Sequence, residues 1–116
     1  MIQKITKGSD ILLSLKLKDA NNLPYRIWDL EEFRMKIYTT NPHNFIEVTY
    51  IDDVFTGIVT NDDADFVVLN SDDLIKLDDG VICYQYHIKF ADENFKDQTY
   101  DEVVTGQTNL YLKSNC

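Results

Sequence analysis

Apolar and polar residues alternate along most of this chain. Between residues 11 and 18 the apolar positions are Ile11, Leu13, Leu15 and Leu17, set against Ser14, Lys16 and Lys18. Between 33 and 38 they are Phe33, Met35 and Ile37, against Arg34 and Lys36. Between 82 and 90 they are Ile82, Tyr84, Tyr86, Ile88 and Phe90, against Gln85, His87 and Lys89. Successive side chains of a strand point to opposite faces, so each run buries one face and wets the other. Several such strands predict an antiparallel sheet protein with one face of each sheet buried.

Residues 2–6 read as a short first strand that stops at Lys7-Gly8-Ser9, and 10–18 as the clearest strand. The segment 19–24 is a turn built on Asn and Pro. Residues 25–30 leave the alternation and read as a crossing between sheets, with Ile27, Trp28 and Leu30 plugging one end of the core. Strands follow over 32–39, 45–51 and 54–59, the middle one burying either Ile46, Val48 and Tyr50 or the Phe45 side. Turns fall at 41–44 and at Asp52-Asp53. Residues 61–63 break the pattern and 65–69 resume it. Residues 71–77 are the one helical segment, with Ser71 as N-cap and Leu74, Ile75 and Leu77 facing inward. A long strand over 81–90, an acidic loop over 91–98 around Phe95, and strands over 99–104 and 107–113 complete the chain. About eight strands with turns every 8–12 residues is the spacing of a β-sandwich. The expected fold is an immunoglobulin-like antiparallel β-sandwich with one short helix, spanning residues 1–116 as a single domain.

Composition agrees with this class. The apolar share is 44% and the aromatic share 12%, which suffices for a core. Only four Gly and two Pro are present, so the turns must rest on Asn and Asp. Twenty acids against eleven bases give a charge of −9. That balance disfavours a nucleic acid partner, which needs clustered Lys and Arg. It suits solubility, and also a basic partner or a cation. Residues 1–6 are too short and too polar for a signal peptide, and no run approaches the length of a membrane helix. Cys83 falls mid-strand and Cys116 at the last position, so a disulfide between them is not expected, consistent with synthesis in a reducing cytoplasm.

Motifs for chemistry are sparse. His43 lies in a turn and His87 on an outer strand face, with no nucleophile elbow beside either. Asn61, Asp63 and Asp65 have the 1-3-5 spacing of a calcium loop, but Phe66 stands where the loop needs Gly. A looser calcium site would draw on Asp52, Asp53 or Asp62. Trp28, Tyr25 and Phe95 are candidates for an aromatic platform that stacks on sugars. The four Gly are isolated and make no phosphate loop.

The N-terminal third carries a resemblance. Ile5-Thr6-Lys7-Gly8-Ser9-Asp10, the alternating strand to Lys18, the turn to Pro24, then Trp28-Asp29-Leu30 and the strand from Phe33 follow a recurring phage layout. Residues 77–86, Tyr100-Asp101 and 108–112 fit it as well. The chain resembles the immunoglobulin-like N-terminal domain of phage baseplate upper proteins. It is also similar to small β-sandwich virion proteins, including head-fibre proteins, of Bacteroides and crAss-like phages. Baseplate upper proteins continue into a shaft and a receptor-binding domain, so the expectation here is a stand-alone module. The resemblance implies a non-enzymatic virion protein of a tailed phage, made in the host bacterial cytoplasm. It would act as a head-fibre, decoration or fibre-attachment adaptor, self-associating as a homo-oligomer and docking on capsid, fibre or tail proteins. It implies no cofactor, no metal and no catalytic residue. Expected partner contacts are Ile2 and Ile5 of the first strand, Phe95 of the acidic loop and Tyr111 of the last strand. The alternative is a carbohydrate- or calcium-binding β-sandwich module. An enzyme inhibitor or anti-defence protein with a basic target is a further reading.

Overall fold

The structure, a computed structural model, describes residues 2–114. Cys116, and with it the expectation for the cysteine pair, lies outside them. The strands are β1 (Gln3–Thr6), β2 (Ile11–Leu15), β3 (Leu17–Lys18), β4 (Pro24–Tyr25), β5 (Glu32–Tyr38), β6 (Ile46–Ile51), β7 (Val54–Thr56), β8 (Ile58–Thr60), β9 (Asp65–Leu69), β10 (Gly80–Ala91) and β11 (Thr99–Lys113). One four-residue helix, α1 (Ser71–Leu74), joins β9 to β10. The fold is all-β and sandwich-like, as the alternation requires. A six-stranded sheet in the order β1-β11-β10-β5-β6-β7 faces a three-stranded sheet in the order β2-β9-β8. The pairings are antiparallel except β1 with β11, which is parallel.

The core lies between the two sheets. Phe33, Met35, Ile37, Val48, Ile82, Ile88 and Leu112 come from the large sheet, and Ile58, Val67 and Leu69 from the small one. Leu17, Ile27 and Leu30 close one end, and Leu74 and Leu77 another part of the margin. Burying these chains is the main term that stabilises the fold. In β6 the Val48 and Tyr50 face is the buried one.

Several elements differ from expectation, and the segment 10–18 is divided between β2 and β3, which belong to different sheets. The segment 54–59 is two strands in different sheets, because the chain crosses between them at Gly57. Gly57 has φ +75°, and a Cβ there would lie 2.5 Å from Val48 Cγ1. Conversely, 99–104 and 107–113 form one strand running through Gly106, over which the Tyr84 ring lies; a Cβ at Gly106 would sit 2.5 Å from the Tyr84 hydroxyl. The helix is shorter than predicted and its N-cap is Asn70, not Ser71, whose N–H is taken by the Asp10 carboxylate at 2.7 Å. Ile75 is exposed, since α1 ends before its side chain can return to the core. Trp28 is 46% exposed and does not plug the core: Ile27 and Leu30 turn inward from the 3-10 turn Ile27–Asp29, and Trp28 turns out.

Asn and Asp carry the turns, as the scarcity of Gly demands. Asn22, Asp52, Asp53 and Asp97 all have positive φ. Two consecutive residues of this kind at Asp52-Asp53 make the tight β6–β7 hairpin, matching the twist of its strands. Among the described residues no helix is long and apolar enough to cross a membrane.

Candidate functional site

Two surfaces gather functional potential. The first is a cleft of about 300 Å³ between the crossing segment and the far end of the β10–β11 hairpin. Its aromatic walls are Tyr25 from β4, Phe90 from β10, Tyr100 from β11 and Phe95 from the connecting loop. The Phe90 and Tyr100 ring centroids are 4.7 Å apart, and Phe95 meets Tyr100 edge-on at 5.3 Å. Phe90 and Tyr100 are opposite one another in register, and both are half-buried against the margin of the core.

Among the described residues the charged groups of the cleft are Asp19, Asp92 and Glu102, with Lys18 the one cation. Asp19 Oδ1 accepts the N–H groups of Asn21 and Leu23 at 2.9 and 3.0 Å. Asp92 Oδ1 accepts the Asn94 N–H at 3.0 Å. Glu102 Oε2 accepts the Tyr100 hydroxyl at 2.7 Å. That bond, with some burial, raises the Tyr100 pKa. Tyr25 is pushed up to about 12, mainly by burial and then by the surrounding phenols and carboxylates. An adjoining depression of about 200 Å³ shares Asp19, Tyr25 and Phe90 and adds Asp29. The cleft is therefore aromatic, anionic and rich in acceptors.

The second surface is the outer face of the three-stranded sheet. Leu12 stands opposite Val68, and Val59 opposite Phe66. These four alternate with buried or half-buried neighbours and so point away from the core, Phe66 and Val68 themselves being half-buried. Leu12 is 59% exposed and Val59 48%. A contiguous apolar patch on a sheet face is a common mark of an interaction surface.

The residues singled out by sequence fall in separate places. Ile2 is exposed just before β1. Ile5 is half-buried opposite Leu112, and Tyr111 is half-buried between Lys4 and Val81, so these three share one sheet margin. Strand β1 pairs within its own chain, and its other edge forms the rim of the large sheet. Phe95 lies at the opposite end of β11, in the cleft. Tyr25 joins Phe95 there, but Trp28 does not: the Arg26 guanidinium covers its ring at 3.9 Å. Of the calcium candidates, Asp52 and Asp53 lie in the β6–β7 hairpin, Asp53 accepting the Tyr50 hydroxyl, while Asp62 lies in the turn before β9. No group of three metal-ligating side chains occurs among the described residues. Asn61 Oδ1 accepts the N–H groups of Asp63 and Ala64 and shapes that turn. His43 is exposed in its turn, and His87 meets Asp101 across the strands at 3.2 Å.

Sequence reasoning missed Glu102, Tyr100 and the Arg26–Asp65 pair. The signal was available: Glu102 and Asp65 both occupy the inward phase of otherwise apolar strands. Comparison with protein-family models, curated proteins and solved structures gives no match to this chain.

Proposed function

We propose that this chain is a non-enzymatic structural protein of a tailed-phage virion, an adaptor that self-associates and docks on capsid, fibre or tail proteins. The virion assignment draws on the sequence resemblance. The interaction role draws on the outer face of the small sheet, where the exposed Leu12 and Val59 stand beside the half-buried Phe66 and Val68. A second copy is the natural occupant. Two copies related by a two-fold axis would lay this face on itself, apolar against apolar, with no charge to desolvate. The flanking edges of β2 and β8 then lie near the partner and can add backbone pairing.

Light scattering on the purified protein tests this, with EDTA and with excess Ca²⁺. A discrete dimer, indifferent to metal, is expected, and Leu12→Lys with Val59→Lys should reduce it to a folded monomer. A wild-type chain that stays monomeric at every concentration overturns self-association through this face. The second reading is a carbohydrate- or calcium-binding module, whose carbohydrate form is favoured by the aromatic cleft. A monomer whose melting temperature rises with Ca²⁺ would establish its calcium form.

A further inference from the structure

We propose that the cleft between β4 and the end of the β10–β11 hairpin receives an arginine side chain from a partner protein. The site is separate from the apolar face, and the proposal goes beyond self-association. Three features of the cleft select a guanidinium. Its walls are aromatic rings, on which a planar, weakly hydrated cation stacks well. Its charged lining is Asp19, Asp92 and Glu102 against Lys18 alone, so an entering cation is neutralised and an anion is repelled. Its hydrogen-bonding capacity is mostly acceptor: each of the three carboxylates has one oxygen occupied within the fold and its second oxygen without a partner among the described residues. A guanidinium carries five donors and no acceptor, which complements such a lining. A neutral sugar stacks on the same rings, but it brings acceptors of its own and leaves the carboxylates uncompensated.

The chain applies the same chemistry to itself. Arg26 lies over the Trp28 ring while its guanidinium donates to Asp65 at 2.7 and 3.1 Å. The cleft offers the equivalent two components, ring and carboxylate, with no arginine of its own between them. The overall charge of −9 supports encounter with a basic partner segment.

The test uses the whole protein, labelled with ¹⁵N, and two probes: the peptide acetyl-Gly-Arg-Gly-amide and its citrulline counterpart, which has the same shape without the charge. The arginine peptide should shift the amides of residues 90–102 and 19–25 saturably. Citrulline should bind about tenfold more weakly or worse. The pair Asp92→Asn and Glu102→Gln keeps the acceptors for the Asn94 N–H and the Tyr100 hydroxyl, so the fold survives while the charge goes. That variant should weaken arginine binding several-fold with an unchanged circular dichroism spectrum. Equal binding of the two peptides overturns the proposal, as does the absence of saturable shifts at concentrations on the order of 50 mM. Tighter saturation of the same amides by maltotriose would overturn it in favour of a sugar site.

Discussion

Asp65 is 2% exposed on a strand whose neighbouring inward residues are Val67 and Leu69. A carboxylate so placed must be compensated, because an isolated buried charge is strongly unfavourable. The compensation is complete here. Oδ1 accepts Arg26 Nε and Nη2, and Oδ2 accepts the Ile27 N–H at 3.0 Å. The guanidinium also donates to the carbonyls of Asn61, Asp62 and Ala64, so one side chain binds the crossing segment to the turn before β9. Asp65→Asn removes the charge and leaves this knot half satisfied. The melting temperature should fall by about 10 °C or more by calorimetry, and a change within a degree or two would show that the pair does not hold the crossing segment. Sequence alone shows that Asp65 and Glu102 break their strands' apolar phase. It does not supply the remedies: Arg26 lies 39 positions away from Asp65, on a segment with no periodicity. The same in-phase anomaly resolves differently at Glu102, which opens into the cleft beside Tyr100.

Elements were legible wherever one face of a strand is apolar, and their limits were not. Alternation reports which way a side chain points, without saying which sheet the strand belongs to. Residues 54–59 therefore read as one strand although Gly57 passes the chain from the large sheet to the small one. Gly106 looked like a break because Gly is poor in strands, yet it is there to admit the Tyr84 ring. The parallel partner of β1 was equally hidden, since nothing local marks it. Besides its ladder with β11, β1 is held by a clasp at its end. The Lys7 N–H donates to the Lys113 carbonyl, Lys7 Nζ lies 3.1 Å from Asp79 Oδ1, and Ser114 donates its N–H and hydroxyl to the same carboxylate. These bonds, Ser114's first and then the Lys7 ion pair, hold the Asp79 pKa below its usual 3.8. A depressed carboxylate stabilises the fold above its unfolded pKa and loses that contribution as pH falls through the folded one. The clasp should be intact above about pH 4 and should open as the medium becomes more acidic than 3.8. Carboxyl and amide NMR titration should give Asp79 and Ser114 a common midpoint below 3.8. Asp79→Ala should leave the Lys7 and Ser114 amides unprotected already at neutral pH. An Asp79 midpoint at or above 3.8 would remove the clasp from the account.

At the scale of the whole molecule, the two surfaces respond to salt with opposite sign. The chain carries −9, so copies that meet through the uncharged outer face of the small sheet must bring like charges together elsewhere on their surfaces. Screening relieves that repulsion and leaves the apolar attraction in place, since the Debye length falls from roughly 30 Å at 0.01 M salt to roughly 3 Å at 1 M. The cleft behaves in the other direction: its attraction for a guanidinium is partly Coulombic and weakens under the same screening. Raising NaCl from low concentration to about 0.5 M should therefore increase the mass measured by light scattering while decreasing the affinity for the arginine peptide. The two readouts come from the same samples, so a change in fold would move both together and be recognised. If the mass falls with salt, the contact between copies is electrostatic and the apolar face is not its seat. If peptide affinity is flat with salt, ring stacking carries the cleft and its carboxylates only shape the turns around it.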